Sequence, residues 1–258
     1  MLIRKGLAIL IALGGTLNLS AAVCDLTTAG SSCTLNGAQL FEAGIAPTGT
    51  GVIDSFVRIQ GTGNEQGYNT DFRPLQYDEL TAANFTRSLL LTAVPIVTIS
   101  GTAYREFSLD INQVGSDPLL TLNRIIITTW SAPNLSGATA VDGTAYAGTA
   151  ANLFPVADAP VYDSGLGNTI ELNYNLNAGS GKGDMFLYVP SSLFSGQYVY
   201  LYSEFGFGPN DTNDGFEEWA VRTAGPVVPE PSTLLILCGF IGAGAIVQRR
   251  RANASKAA

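Results

Sequence analysis

The 258-residue chain contains no histidine, and this absence limits the chemistry it can perform. Without imidazole, Ser-His-Asp and Cys-His catalytic arrangements are excluded, as are histidine-ligated zinc and iron sites. The sequence contains no identifiable catalytic motif, so we predict that the protein is not an enzyme. Any catalysis would have to use carboxylates, tyrosine, lysine or arginine.

Basic residues are scarce and unevenly distributed. The chain has 13 lysines and arginines against 21 acidic residues, and six of the 13 lie near the two ends: Arg4, Lys5, Arg249, Arg250, Arg251 and Lys256. Residues 23–229 retain seven basic and 20 acidic side chains, a net charge of −13. A body this acidic repels nucleic acid and anionic lipid and attracts divalent cations.

The central part of the chain is predicted to consist of short strands joined by turns. Hydrophobic residues make up 46% of the chain and 29 residues are glycine, which fits a packed core with many turns. Apolar and polar residues alternate at 105–111 and 170–176, the period of half-buried strands. Four more strands are predicted from β-branched and aromatic runs, at residues 51–60, 119–130, 184–189 and 197–205.

We therefore predict an all-β fold, a β-sandwich of jelly-roll type, over residues 23–225. A short helical turn is expected only near residues 77–85, led by Asp78 and Glu79. Residues 131–168 are rich in glycine, alanine and threonine and are predicted to form a long loop or an irregular edge. Length alone would also allow two small domains.

Residues 1–22 have the three parts of a secretory signal peptide. Two basic residues precede an apolar stretch, which ends in a cleavage site of small residues, Ser20, Ala21 and Ala22. We expect export and a mature chain that begins near Val23. Cys24 would be the lipidated residue of a lipoprotein, but Val23 is not the small residue that such a signal places before the cysteine.

The cysteines predict one disulfide. Cys24 and Cys33 are close in sequence, and in an oxidising compartment we expect them to pair, with two free thiols as the alternative. Cys238 lies in an apolar run and is interpreted as an apolar filler.

The C-terminal region contains an uncharged apolar run at residues 233–247. As a helix rising ~1.5 Å per residue it would span roughly 22 Å, less than the ~30 Å hydrocarbon core of a bilayer. The run is followed by a basic cluster that would stay in the cytoplasm, Arg249, Arg250 and Arg251. The short span favours a temporary membrane segment over a lasting anchor.

Pro229, Glu230 and Pro231, then a short apolar helix, then an arginine cluster, resemble the PEP-CTERM sorting domain of Gram-negative bacteria. The resemblance assigns residues 226–252 to a sorting segment and 253–258 to a tail. Proteins with this domain are recognised by exosortase, a transpeptidase-like enzyme of the inner membrane, and are associated with exopolysaccharide. The resemblance implies that exosortase recognises the three motif residues and that the inner membrane holds the precursor transiently. It also implies that the mature protein reaches the cell surface or the medium.

The densest polar stretch, residues 208–219, offers oxygen ligands of the kind calcium prefers: Asp211, Asn213, Asp214, Glu217 and Glu218. Their spacing departs from the EF-hand pattern, because Gly215 comes one residue early and no glutamate occupies the twelfth position. A solvated acidic turn is the alternative interpretation. A second loop, residues 61–72, offers Glu65, Asn69 and Asp71. Apart from calcium, we predict no cofactor.

Carbohydrate binding or cleavage is the alternative function that the residues allow. Tyr198, Tyr200 and Tyr202 alternate onto one face of a predicted strand, where they would pack in a core or stack on sugar rings. Glycoside hydrolysis needs two carboxylates, and no pair stands out among five glutamates: Glu106, Glu171, Glu204, Glu217 and Glu218.

Together these features predict an exported structural or adhesive protein of an exopolysaccharide matrix. Its predicted partners are exosortase, the inner membrane and exopolysaccharide, and not nucleic acid. The alternative is a secreted protein that binds or cleaves exopolysaccharide. The central region is similar to uncharacterised β-rich ectodomains that carry the same kind of tail, a resemblance that implies no activity.

Overall fold

The computed structural model describes residues 21–42, 53–179, 182–213 and 215–222, and these residues are almost entirely β-structure. The only α-helical segment among them is one turn, α1 (Ala150–Leu153). The prediction of an all-β fold is confirmed. The strands are β1 (Val23–Asp25), β2 (Ser32–Leu35), β3 (Ala38–Glu42), β4 (Ile53–Ile59), β5 (Glu65–Tyr68), β6 (Leu89–Leu90), β7 (Ile96–Ile99), β8 (Thr102–Asp110), β9 (Leu119–Trp130), β10 (Tyr162–Asp163), β11 (Thr169–Asn173), β12 (Met185–Pro190), β13 (Tyr198–Phe205) and β14 (Glu217–Arg222).

The strands form two seven-stranded sheets. Sheet A has the order β1-β11-β9-β13-β5, with β10 beside β9 and β6 beside β13. Sheet B has the order β2-β3-β12-β8-β14-β4, with β7 beside β8. Within the described ranges, only β1 and β11 pair in parallel, and the other strand pairs are antiparallel.

The main apolar core lies between the two sheets. In β8 of sheet B, Phe107 and Leu109 are fully buried in this core, while the residues between them point to the outer face, as the period of a strand requires. Sheet A contributes alternate residues of β9 and β13 in the same way. Trp219 of β14 is fully buried, and its Nε1 donates a hydrogen bond to Ser203 Oγ of β13 at 3.0 Å. The two sheets are thus joined by apolar packing and by a buried hydrogen bond.

The outer face of sheet A is covered by residues 131–161, most of the stretch predicted as a long loop. Arg124 of β9, 2% exposed, donates to the carbonyl groups of Tyr146 and Gly148 at 3.2 and 3.0 Å. Glu204 of β13 accepts the backbone N–H of Tyr146 at 2.8 Å. These buried charged groups hold the loop against the sheet.

The helical turn expected near residues 77–85 is reduced to one hydrogen-bonded turn at 82–86. Asp78 and Glu79 do not lead it. Their carboxylates instead accept backbone N–H groups of β5, each at 2.9 Å. The two acidic side chains therefore pair with a strand instead of starting a helix.

Several sequence predictions fall outside the described residues. They are the signal peptide up to residue 20, Cys238, the sorting motif Pro229, Glu230 and Pro231, and the arginine cluster Arg249, Arg250 and Arg251. Among the residues that are described, no helix is long and apolar enough to span a membrane.

A disulfide joins Cys24 and Cys33, the two cysteines expected to pair. Cys24 lies in β1 of sheet A and Cys33 in β2 of sheet B, with their Cα atoms 5.9 Å apart. The bond therefore connects the two sheets near the start of the described fold.

Replacing both residues, as Cys24→Ala with Cys33→Ala, should lower the free energy of unfolding by about 2–3 kcal/mol, because the bond closes a short loop in the unfolded chain. Urea unfolding of the non-reduced protein measures the change. Reduced parent protein is the control and should lose a similar amount. Equal urea midpoints for the parent and the variant would show that the bond does not contribute to stability.

Asp184, just before β12, is a buried carboxyl with only part of its hydrogen-bonding capacity used. Its Oδ2 accepts the N–H of Ile111 at 2.8 Å, while its Oδ1 has no donor. Burial, and next the neighbouring carboxylates of Asp110 and Glu42, raise the pKa of Asp184 to about 8. Between about pH 4 and pH 8, Asp184 is therefore protonated in the folded protein and ionised in the unfolded chain, where the pKa of aspartate is about 3.9.

This pKa difference gives a pH dependence with a definite sign. The contribution of Asp184 to stability is fully present below about pH 4 and is lost as the pH rises towards 8. The Asp184→Asn variant keeps an acceptor for Ile111 and carries no charge at any pH. Its Tm should exceed that of the parent by several degrees at pH 8, and the difference should shrink at pH 5.

Differential scanning calorimetry from pH 5 to pH 8 measures this effect. Asp211→Asn, which removes the same charge from an exposed position, is the matched control. Parallel Tm profiles for Asp184→Asn and the parent would refute the prediction.

Candidate functional site

The two polar loops singled out in the sequence meet at one edge of the sandwich. The first leads into β5 of sheet A and the second into β14 of sheet B. Gly63 and Thr212 exchange both backbone hydrogen bonds, at 3.0 and 3.1 Å. Gly206 packs against this contact with a φ of +76°, and a Cβ there would lie 2.3 Å from the Gly63 carbonyl oxygen. The close approach of the two loops therefore requires glycine at position 206.

Next to this contact are four residues that we call the acidic junction: Glu65, Gln113, Thr212 and Glu217. Glu217 interacts with Glu65 and with Gln113, and Thr212 belongs to the group through its backbone pairing with Gly63, two residues before Glu65. Each of the four is at most 3% exposed. Glu65 is paired across the ladder with the core residue Phe205, and Glu217 lies two residues before the core residue Trp219, so both carboxyl groups point between the sheets. The junction thus bridges sheet A and sheet B.

The carboxyl groups of the junction have few hydrogen-bond donors. Glu65 Oε2 accepts the N–H of Gly61 at 2.5 Å, and Glu217 Oε1 accepts Nε2 of Gln113 at 3.0 Å. The two carboxyl groups also interact with each other, and Glu217 has a further hydrogen bond with the backbone of Asn112. Glu65 Oε1 and Glu217 Oε2 have no hydrogen-bond donor.

The pKa values of both glutamates in the junction are raised. Burial raises the pKa of Glu65, and burial followed by the neighbouring Glu65 raises the pKa of Glu217 well above its usual range. Neither carboxylate takes part in the four ion pairs found among the described residues, which are Arg58–Glu218, Arg87–Asp54, Arg124–Asp163 and Arg222–Glu106. Two buried carboxylates without a basic partner favour a bound proton or a bound cation.

The structure does not bring together the calcium ligands expected within residues 208–219. Glu217 and Glu218 are consecutive in β14 and point to opposite faces, and Glu218 pairs with Arg58 at 2.8 Å. Asn213 Oδ1 accepts the N–H of Val114 at 2.7 Å. Asp211 is exposed, and Asp214 lies outside the described residues. Within the described ranges, no three Asp, Glu or Cys side chains are grouped closely enough to hold a metal ion.

The second expected set is also dispersed. Glu65 belongs to the acidic junction, whereas Asn69 bonds to the backbone of β13 through both atoms of its amide, at 2.7 and 2.8 Å. Asp71 accepts the backbone N–H and the hydroxyl of Ser88 at 2.9 and 2.7 Å. Each set therefore contributes one glutamate to the junction, and the remaining described members lie elsewhere.

The other glutamates considered for glycoside hydrolysis have structural partners. Glu106 forms a buried ion pair with Arg222, and Glu204 accepts from Tyr146 and Tyr202. Glu171 accepts hydrogen bonds from Thr121 and Asn210, each at 2.9 Å. Glu65 and Glu217, the pair in direct contact, are each 1% exposed, which leaves no room for a sugar ring between them.

The tyrosine stripe of β13 is mostly core packing. Tyr200 and Tyr202 are fully buried beneath the loop at residues 131–161, together with Tyr68 and Tyr146. Tyr198 is half-buried at the margin of this cluster. Stacking of Tyr200 and Tyr202 on sugar rings, the alternative considered for this stripe, is therefore excluded in this fold.

A different aromatic cluster, not singled out in the sequence, lies on the outer face of sheet B. Phe41 and Phe186 are half-buried and flank Tyr188, with ring centroids 5.6 and 5.7 Å from it. The Arg222 guanidinium lies 5.2 Å from the Phe186 centroid. The alternation of Phe186 and Tyr188 in β12 was the available sequence signal, but the pairing of β12 with β3 is what places Phe41 beside them.

Comparison of the chain with protein-family models, with curated proteins and with solved structures finds no match. The role of the acidic junction and of the aromatic cluster must therefore be inferred from the residues that form them.

Proposed function

We propose that this chain is an exported β-sandwich protein of jelly-roll type, processed by exosortase, with a structural or adhesive role in an exopolysaccharide matrix. The observation that carries the proposal is a sequence of three features near the C-terminus: the motif Pro229, Glu230 and Pro231, a short apolar run, and an arginine cluster. The signal peptide at residues 1–22 supplies the export step.

The body of the protein is compatible with this role in two respects. A disulfide joins the sheets near the start of the described fold, and such bonds persist in oxidising compartments outside the cytoplasm. At the other end, β14 ends at Arg222, ahead of the sorting motif at Pro229. Cleavage at the motif would therefore leave the described strands intact.

A structural role is favoured over catalysis by how the acidic side chains are used. Glu106, Glu204 and Glu218 each hold an arginine or a loop in place. The two buried tyrosines of β13 pack beneath a loop. These groups stabilise the fold, and a rigid, acidic sandwich suits a matrix component.

Substituting Pro229, Glu230 and Pro231 together with alanine should stop processing while the apolar run and its arginines still insert. The physical reason is that a span of roughly 22 Å with a cytoplasmic basic cluster holds the precursor in the membrane until it is cleaved. In an exosortase-positive host, the full-length variant should accumulate in the inner-membrane fraction, as measured by immunoblotting of cell fractions.

The matched control replaces Pro226 and Val227 with alanine, close to the motif but outside it, and should mature as the parent does. If the triple-alanine variant also matured and left the membrane, the sorting proposal would be wrong and the tail would be an ordinary anchor.

A second candidate function, carbohydrate binding, is favoured by the aromatic cluster on sheet B. Aromatic rings on an outer sheet face offer flat apolar surfaces on which the C–H faces of sugars pack, and Phe41 and Phe186 are half-buried there. Gln39, which is half-buried, adds a polar group beside the rings.

If this cluster binds exopolysaccharide, replacing Phe41 and Phe186 with alanine should weaken binding at least about tenfold, since each loss of about 1.4 kcal/mol is one order of magnitude. Co-sedimentation with purified exopolysaccharide measures the affinity. Phe72→Ala, which removes a ring that is 40% exposed elsewhere, is the control. Unchanged binding in the double variant would remove this candidate.

A further inference from the structure

We infer that the acidic junction is a divalent-cation site, with calcium as the ion that fits it best. The site joins Glu65 of sheet A to Glu217 of sheet B, with Gln113 and Thr212 beside them. It differs from the calcium set expected from residues 208–219 and shares only Glu217 with it. The site is formed by residues of the folded body and does not depend on the sorting tail, although it deepens the proposed structural role.

The first observation is a concentration of unpartnered buried oxygens. Ten buried side-chain nitrogen and oxygen atoms in the described part of the chain lack a hydrogen-bond partner. Four of the ten belong to the junction: Glu65 Oε1, Gln113 Oε1, Thr212 Oγ1 and Glu217 Oε2. Buried polar atoms ordinarily find a partner, so the concentration of such oxygens on these neighbouring residues points to a ligand.

The second observation is that all four atoms are oxygens. Two come from carboxyl groups, one from an amide and one from a hydroxyl. The side-chain amide of Gln113 donates its N–H to Glu217 at 3.0 Å, while the oxygen of the same amide is unpartnered. Gln113 is 2% exposed. Carboxyl and amide oxygens are the ligands that hard divalent cations take in proteins.

Charge points in the same direction. Two carboxylates lie between the sheets without an arginine or lysine partner among the described residues, and Asp78 adds further negative potential at Glu65. A cation of charge +2 would neutralise Glu65 and Glu217 together. The surrounding body carries many more acidic than basic residues, so its field attracts cations to the protein.

Calcium is favoured over magnesium by the donor set. Magnesium requires a near-octahedral shell and usually keeps several waters, whereas calcium accepts six to eight oxygens in a flexible arrangement. The junction offers carboxyl oxygens from Glu65 and Glu217 together with the amide oxygen of Gln113, which is a donor set of the calcium type. Residues that are at most 3% exposed leave little space for a water-rich magnesium shell.

The bound ion would act as a clamp between the sheets. Glu65 is the first residue of β5 and Glu217 the first residue of β14, so one ion would fix the starts of two strands in different sheets. It would work beside the backbone pairing of Gly63 with Thr212. In the extracellular setting of the proposed function, calcium would stiffen this edge of the sandwich.

Isothermal titration calorimetry of the purified protein with CaCl2 at pH 7.5, after EDTA treatment and dialysis, tests the inference. We expect one calcium per chain with a dissociation constant between about 10⁻⁶ and 10⁻³ M, and weaker binding of MgCl2. Calcium at a hundredfold excess over that constant should raise the Tm by about 5 °C or more relative to EDTA.

The Glu65→Gln variant separates a cation site from a carboxyl pair that shares a proton. Its amide can donate to Glu217, so the variant should fold and have a Tm in EDTA at least equal to that of the parent. Its calcium affinity should fall at least about tenfold. Glu204→Gln, which neutralises a buried carboxylate with two donors outside the junction, should bind calcium as the parent does.

Two results would overturn the inference. If calcium neither binds the parent nor raises its Tm, the junction is a carboxyl pair neutralised by a proton. If calcium binds Glu65→Gln as tightly as the parent, the ion binds elsewhere. Neither result bears on the sorting proposal, because retention of the triple-alanine precursor in the membrane is measured independently.

Discussion

The structure of this protein is governed by a shortage of positive charge around buried carboxyl groups. Between its basic ends the chain has 20 acidic residues and only seven basic ones, and several of the acidic residues are buried. A buried carboxyl group needs hydrogen-bond donors, a cation or a proton. Hydrogen-bond donors and arginine cations stabilise buried carboxyl groups in this fold, and we propose a bound divalent cation for the acidic junction. The contacts with arginine and backbone N–H groups also hold the long loop against sheet A.

Arginine and backbone N–H groups satisfy most of the buried acids. Arg222 neutralises Glu106 on the outer face of sheet B, and Glu204 uses the N–H of Tyr146 to fasten the loop over sheet A. Glu79 accepts from the backbone of Tyr68, yet its burial still raises its pKa to about 7. At Asp184 and in the acidic junction a buried carboxyl oxygen still lacks a donor, and in the junction two such carboxyl groups interact with each other.

Sequence patterns predicted the strands well and the polar sites poorly, for a physical reason. The strand predicted at residues 119–130 coincides with β9, because its β-branched run has no competing turn signal. The alternation within β14 could have shown that Glu217 and Glu218 face opposite ways and cannot share a metal. No local pattern could show that Glu65 meets Glu217, because that contact depends on sheet pairing between distant segments. The helical turn predicted to begin at Asp78 was wrong for the same reason, because the Asp78 carboxylate accepts a backbone N–H of β5 instead.

We propose that this acidic, disulfide-linked sandwich is exported and released from a temporary membrane segment. The most direct measurement is the intact mass of the protein recovered from outside the inner membrane, with mapping of both terminal peptides. We expect an N-terminus near Val23, a C-terminus near the motif Pro229, Glu230 and Pro231, and Cys24 bonded to Cys33. A recovered chain that begins at Met1 or still ends beyond Arg251 would contradict it.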